Sequence, residues 1–276
     1  MKLFISCDME GTCGITHWDE TDYDRGGRWY DYFREQMSRE AAAACLGAQS
    51  GFAVHGGGGS IRVKDAHDSA RNIIPAMLPA GVEIHRGWSG SHLCMVSGLE
   101  EGFDALAFTG YHSAAHDGGN PLSHTMVTNV DEIRINGERT SEFLIHSYIA
   151  AMLGIPVIFL SGDENLCRTA EAKIPGITTA AVNKGRGNGV VSLQPAQAEL
   201  LIKEGMEKAV KKFLDTRGED CKLALPPSFD VTVKYKEHPR AFRNSHFPGA
   251  ELTDEKTVRF ASGDYDAVLR FFHFCV

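Results

Sequence analysis

Short apolar runs recur at residues 3–7, 61–64, 105–109, 157–160 and 178–182, with longer stretches of helical spacing between them. Runs of this length suit strands buried on both faces. Their alternation with helical stretches predicts βαβ units around a mostly parallel sheet with helices on both faces. Residues 28–50 read as a helix with small alanines over 41–44, and 194–214 carry Ala, Leu, Ile and Met at helical spacing. Residues 141–153 read as a further helix, stopped by Gly154 and Pro156.

Past residue 214 the pattern changes. Residues 219–227 open with charges and end in two prolines, and 229–235 alternate as a half-exposed strand would. This predicts an α/β part over 1–220 and a smaller C-terminal α+β part over 221–276. The tail, 264–276, is apolar and aromatic, with Phe271, Phe272 and Phe274, and is expected to dock on the core or on another subunit. A chain of 276 residues can bury about three quarters of its unfolded surface without staples.

Composition removes several classes of function. The net charge is −8 with no long basic run, which argues against a nucleic-acid partner. Seven scattered cysteines without a C-x-x-C pair indicate reduced thiols and a cytoplasmic protein rather than a disulfide framework. Asp8 interrupts the first apolar run before a secretory segment could form, and no run of 18 apolar residues predicts a membrane span. His55 and the glycines after it resemble the oxyanion motif of lipases, but residues 87–91 lack the last glycine of G-x-S-x-G. Residues 185–189 lack the spacing of a dinucleotide fingerprint, and no G-K-[ST] exists.

What remains is the position of acidic and histidine residues relative to the strands. Asp8 and Glu10 follow the first run, Asp65 and His67 the second, Tyr111 and His112 the third. In an open α/β sheet the carboxyl ends of strands lie on one edge, where ligands bind. Alone, an acid after a strand is usually a helix cap or turn residue. Three consecutive strand ends bearing Asp, Glu and His instead suit a divalent metal such as zinc. His112 and His116 have the spacing of H-E-x-x-H, but Ser113 stands where Glu is required and glycines follow, so His116 reads as a loop residue. Cys7 reads as core.

These residues, taken in order, are recognisable. Ser6 with Asp8-Met9-Glu10-Gly11, Asp65-Ala66-His67, Gly110-Tyr111-His112 and Ser123-His124-Thr125-Met126 resemble the zinc-dependent D-aminopeptidase family, first named for dipeptide transport. The similarity continues through Ile135-Asn136, Glu142, Gly162-Asp163, Ile174-Pro175 and residues 178–182. The resemblance implies a dinuclear zinc aminopeptidase acting on short peptides with an N-terminal D-residue. It also implies Asp8, Glu10, His67, His112 and Glu142 as metal ligands with Asp8 bridging, and His124 as the nucleophile. A homo-oligomer, specifically a decamer, is implied as well.

Charge is consistent with two Zn²⁺ per subunit, since three carboxylates leave one positive charge that a single hydroxide cancels. Chemistry also allows His124 to act as a general acid or oxyanion stabiliser instead. Asp65 is expected to orient an imidazole. The alternatives are another metal-dependent amidohydrolase or phosphoesterase, because fold and metal set do not fix the reaction, or a non-enzymatic peptide-binding transport component.

Overall fold

Each apolar run is a strand of one sheet. The computed structural model describes residues 1–24, 29–54 and 56–276, so Arg28, the expected start of the first helix, and His55 lie outside the described residues. The first half contains β1 (Lys2–Cys7), α1 (Tyr30–Val54), β2 (Ser60–Asp65), β3 (Val82–His85), β4 (Ala105–Tyr111), β5 (Val130–Ile135), β6 (Glu138–Arg139) and α2 (Glu142–Met152). The second contains β7 (Val157–Asp163), α3 (Glu164–Lys173), β8 (Thr178–Arg186), β9 (Gly189–Ser192), α4 (Pro195–Thr216), β10 (Phe229–Tyr235), α5 (His238–Asn244), β11 (Ala250–Asp254), β12 (Thr257–Ser262) and α6 (Tyr265–Cys275).

The larger sheet has the order β3-β2-β1-β4-β7-β8-β9, parallel except for β9, which returns antiparallel to β8. Every residue of β4 and β7 is buried, as strands covered on both faces must be. From β1 the chain first moves outward through β2 and β3, then returns to the other side of β1 for β4, β7 and β8. Right-handed crossovers in these two directions put α1 on one face and α3 on the other. The α4 helix packs along α1, and α2 packs on β4. The sequence begins these helices locally. Ser141 accepts from Leu144 N (3.3 Å), Asp163 accepts from Leu166 N (2.9 Å), and Gln194 caps α4 ahead of Pro195.

The reversal of direction leaves a crevice between β1 and β4 at their carboxyl ends, the place where an open α/β sheet holds its ligands.

The smaller sheet is antiparallel, in the order β11-β12-β10-β5-β6. Its β10 buries Phe229, Val231, Val233 and Tyr235 on alternate positions. It joins residues 229–262 to two strands, β5 and β6, that precede residue 140. The apolar tail is α6, docked on β10, β12 and α2 of its own chain. Tyr265 donates to Ile145 O (2.8 Å), and the Phe271 ring stacks on Phe260 at 4.9 Å. Among the described residues, no helix is long and apolar enough to cross a membrane.

Candidate metal centre

Two loops meet main chain to main chain at the crevice. Gly11 N donates to Gly110 O (2.8 Å) and Asp8 N to Thr109 O (2.9 Å). A Cβ on Gly11 would lie 1.9 Å from Tyr111 O, and one on Gly110, whose φ is 69°, would lie 2.2 Å from Asp8 O. Only glycine permits this approach. It brings the carboxylates leaving β1 against the imidazole leaving β4.

The structure places Asp8, Glu10, His67, His112, Glu142 and His124 together. The first five are buried, and His124 is partly so. His67 Nδ1 lies 3.3 Å from Asp8 Oδ1 and 3.0 Å from Glu10 Oε2. His112 Nε2 lies 3.4 Å from Asp8 Oδ2 and 3.5 Å from Glu142 Oε2. His124 Nε2 is 3.6 Å from Glu142 Oε1 and 3.9 Å from Glu10 Oε1, with its ring stacked on that of His112 at 4.4 Å. Three overlapping donor groups result: Asp8, Glu10 and His67; Asp8, His112 and Glu142; Glu10, His112 and His124.

Backbone carbonyls orient all three imidazoles. His67 Nε2 donates to Thr21 O (2.7 Å), His112 Nδ1 to Ser113 O (2.9 Å) and His124 Nδ1 to Leu122 O (3.0 Å). The other ring nitrogen of each, carrying a lone pair when the ring is neutral, therefore faces the carboxylates. Acceptors then face acceptors. Asp8 Oδ2, Glu10 Oε2 and His112 Nε2 are buried without a hydrogen bond, and such groups are costly unless a ligand satisfies them. The donor set of carboxylate oxygens and imidazole nitrogens fits zinc, and the carbonyl partners are the kind that orient histidine ligands.

Electrostatics agree with a densely charged, buried site. Burial, with the charge of Glu10, pushes Asp8 well above the usual carboxylate range. Burial also raises Glu10 and Glu142, but the neighbouring imidazoles outweigh it: His67 leads in carrying Glu10 well below its ordinary value, and His112 and His124 hold Glu142 at about 2. Burial opposes the charging of His67 and His112, yet the carboxylates pull both upward, an effect that a cation among them would reverse. Burial and the neighbouring His112 lower His124.

Asp65 does something other than expected. Its Oδ2 accepts from Asn72 N (2.6 Å) and Ile73 N (2.7 Å), and its Oδ1 from Asn72 Nδ2 (2.9 Å), while the His67 ring is held by Thr21 O instead. Asn72 Nδ2 also donates to His67 O (2.7 Å), so Asp65 fixes the loop carrying the histidine rather than its ring. His116 is exposed, 3.7 Å from Asp131 and away from the cluster. Cys7 is buried core.

One positioning residue was not foreseen. Asp163, an end-of-strand acid that reads as a helix cap, also accepts from Ser113 N (2.6 Å) and Ser113 Oγ (2.7 Å), fixing the residue whose carbonyl orients His112. Its place at the end of β7 was the available signal. Trp18, edge-on to His124 at 5.2 Å, and Met126, whose N–H donates to Glu142 Oε1 (2.6 Å), carry no comparable sequence signal.

The cluster opens into a cavity of about 470 Å³. Trp18, Asp68 and Trp88 line it from the strand-end loops, and Ile145, Leu269 and Phe272 from α2 and α6.

A doubly wound α/β sheet with a buried carboxylate and imidazole cluster at its switch point defines a protein built around a metal-binding type of centre. The chain belongs to the D-aminopeptidase family, peptidase family M55, which it matches over residues 1–274. It is 31% identical over 276 residues to the D-aminopeptidase of Bacillus subtilis (strain 168), covering 98% of this chain and 96% of that one. Its fold is similar, with a TM-score of 0.86 and 28% identity, to a solved structure described as the Zn-dependent D-aminopeptidase DppA from Bacillus subtilis, a self-compartmentalizing protease; the match covers 100% of this chain and 96% of that one.

Proposed function

We propose that the protein is a dinuclear zinc aminopeptidase that hydrolyses short peptides bearing an N-terminal D-residue. The observation that carries this reading is the Asp8 carboxylate. One oxygen faces the His67 side of the cluster, with Glu10 alongside, and the other faces His112, with Glu142 alongside. Those five residues would hold two zinc ions with Asp8 between them. Bound there, zinc supplies Lewis acidity toward the scissile carbonyl and toward water.

The chain's own groups do the rest. His124 Nδ1 donates its hydrogen bond to Leu122 O, so the neutral ring offers its Nε2 lone pair to the cluster. Burial and His112 favour that neutral form. On this reading His124 is the nucleophile toward the carbonyl carbon. Nε2 bonds to that carbon as the carbon's bond to the leaving amine breaks, the amine takes a proton from water, and the hydroxide left hydrolyses the acyl-imidazolium to the acid and the neutral ring. Trp18 holds the ring edge-on, and the cavity has room for a short peptide. All seven cysteines are free thiols, the state a reducing cytoplasm maintains, and we place the protein there. We further propose a homo-oligomer, a decamer by the family resemblance, which light scattering would reveal as a mass of ten chains.

The test is hydrolysis of D-Ala-D-Ala beside L-Ala-L-Ala, before and after chelation and zinc restoration, with metal content measured. Cleavage of the D-peptide alone, abolished by chelator and restored by zinc, is expected. Protein that holds two zinc ions and cleaves neither peptide would overturn the reading. His124→Ala is expected to keep its zinc and lose about 10²-fold or more in kcat. Loss of zinc from that variant would make His124 a ligand instead.

A further inference from the structure

Lys64 is completely buried on β2, an unusual place for a lysine. Its ammonium donates to Gly87 O (2.8 Å) and lies 4.6 Å from the centroid of the Trp88 ring. Among the described residues, no carboxylate lies within ion-pair distance of it. The charge is thus held by a carbonyl and an aromatic face, an arrangement worth more when desolvated than at an open surface.

Trp88 itself is 43% exposed and lines the cavity of the metal centre. Its indole N–H donates to Asp68 O (2.6 Å), and the residue before it is tied down by Gly87 N donating to Ala70 O (2.7 Å). Asp68 and Ala70 are both held at positive φ, 43° and 54°, a conformation costly for residues other than glycine. An indole open to water has no packing reason to be fixed by a buried lysine, a main-chain acceptor and a strained turn. The arrangement makes sense as a surface kept ready for a ligand. With Lys64 already drawing on the ring's electron density, a second cation on the indole is disfavoured and a neutral apolar group preferred. Asp68, an acidic residue of the same wall, is the residue type that receives an ammonium.

We propose that Trp88, positioned by Lys64, determines specificity by receiving an apolar side chain of the substrate's N-terminal residue. This inference rests on the aminopeptidase reading. Its test compares D-Phe-Gly with D-Ala-Gly as substrates of zinc-loaded full-length protein. Trp88→Ala is expected to lower kcat/KM for D-Phe-Gly at least tenfold more than for D-Ala-Gly, with the loss carried by KM. Trp88→Phe should keep most of the preference, and Lys64→Met should weaken it in the same direction. Equal loss on both peptides, or no change in their ratio for Trp88→Ala and Trp88→Phe, would overturn the proposal while leaving the aminopeptidase reading standing. Failure of the zinc-loaded wild type to cleave either peptide would remove that reading, and this inference with it.

Discussion

The loop leaving β1 and the loops leaving β2 and β7 each bury acidic side chains at the end of a parallel strand, but they do so in opposite ways. Asp65 and Asp163 are saturated: each accepts three hydrogen bonds, mostly from main-chain N–H groups of the loops they hold. Asp8 and Glu10 each keep a buried oxygen without a hydrogen bond. The difference separates acids that build loops from acids held open for something not supplied by the chain. Burial alone does not tell them apart, and neither does sequence position.

The largest expected effect tests the open acids. Asp8→Ala should lower kcat/KM by roughly 10³-fold or more and reduce bound zinc, because it removes the carboxylate shared by two of the three donor groups. Since the replaced carboxylate has one oxygen, Oδ2, without a hydrogen bond and only a long contact of 3.3 Å to His67 at the other, the metal-free variant should melt no lower than metal-free wild type. A large drop in that melting temperature would make Asp8 a structural acid and erase the contrast.

Asp163→Ala should behave in the opposite sense. It strands the Ser113 and Leu166 donors, and is expected to cost about 2–4 kcal/mol in a denaturant titration. Because Ser113 O orients His112, zinc affinity or activity should also fall by roughly 10–100-fold. Unchanged stability with full loss of activity would move Asp163 into the other class.

The smallest effect concerns Glu40 on α1, a buried acid of mixed character beneath the β1 loop. Its Oε1 accepts from Cys13 N (2.9 Å) and Gln36 Nε2 (3.2 Å), but its Oε2 has no partner. Among the described residues no imidazole touches it, and burial pushes its pKa to about 7. An unsatisfied buried carboxyl without a cation takes a proton. Because the folded value exceeds the unfolded value of about 4.5, this stabilising contribution is complete below pH 4.5 and is lost as pH rises through about 7. Glu40→Gln should therefore raise stability at pH 8 by on the order of 2–3 kcal/mol, and by little near pH 4.5. Melting curves at the two pH values provide the check, and a pH-independent difference would refute the assignment.

Much of this was legible in the sequence because parallel topology turns strand ends into one edge. Asp8, Glu10, His67 and His112 needed only the strand pattern to be drawn together, and Glu142 and His124 needed the family's motifs. Asp65 was misread because its partners, Asn72 and Ile73, lie in a loop whose path periodicity does not describe. The strands β5 and β6 escaped the pattern for a related reason: β6 is only two residues long, and the pairing of β5 with β10 spans about 100 residues of chain. The cavity walls from Trp18, Trp88 and α6 are likewise products of tertiary docking.

The main-chain contact between Gly11 and Gly110 also bears on how such a protein can diversify. Beneath the reacting groups there is no side chain at those two positions to exchange, and adding even a methyl group would force the loops apart. On our reading substrate preference is set instead on the cavity wall above, which Trp88 lines from the strand-end loops and Leu269 and Phe272 line from α6.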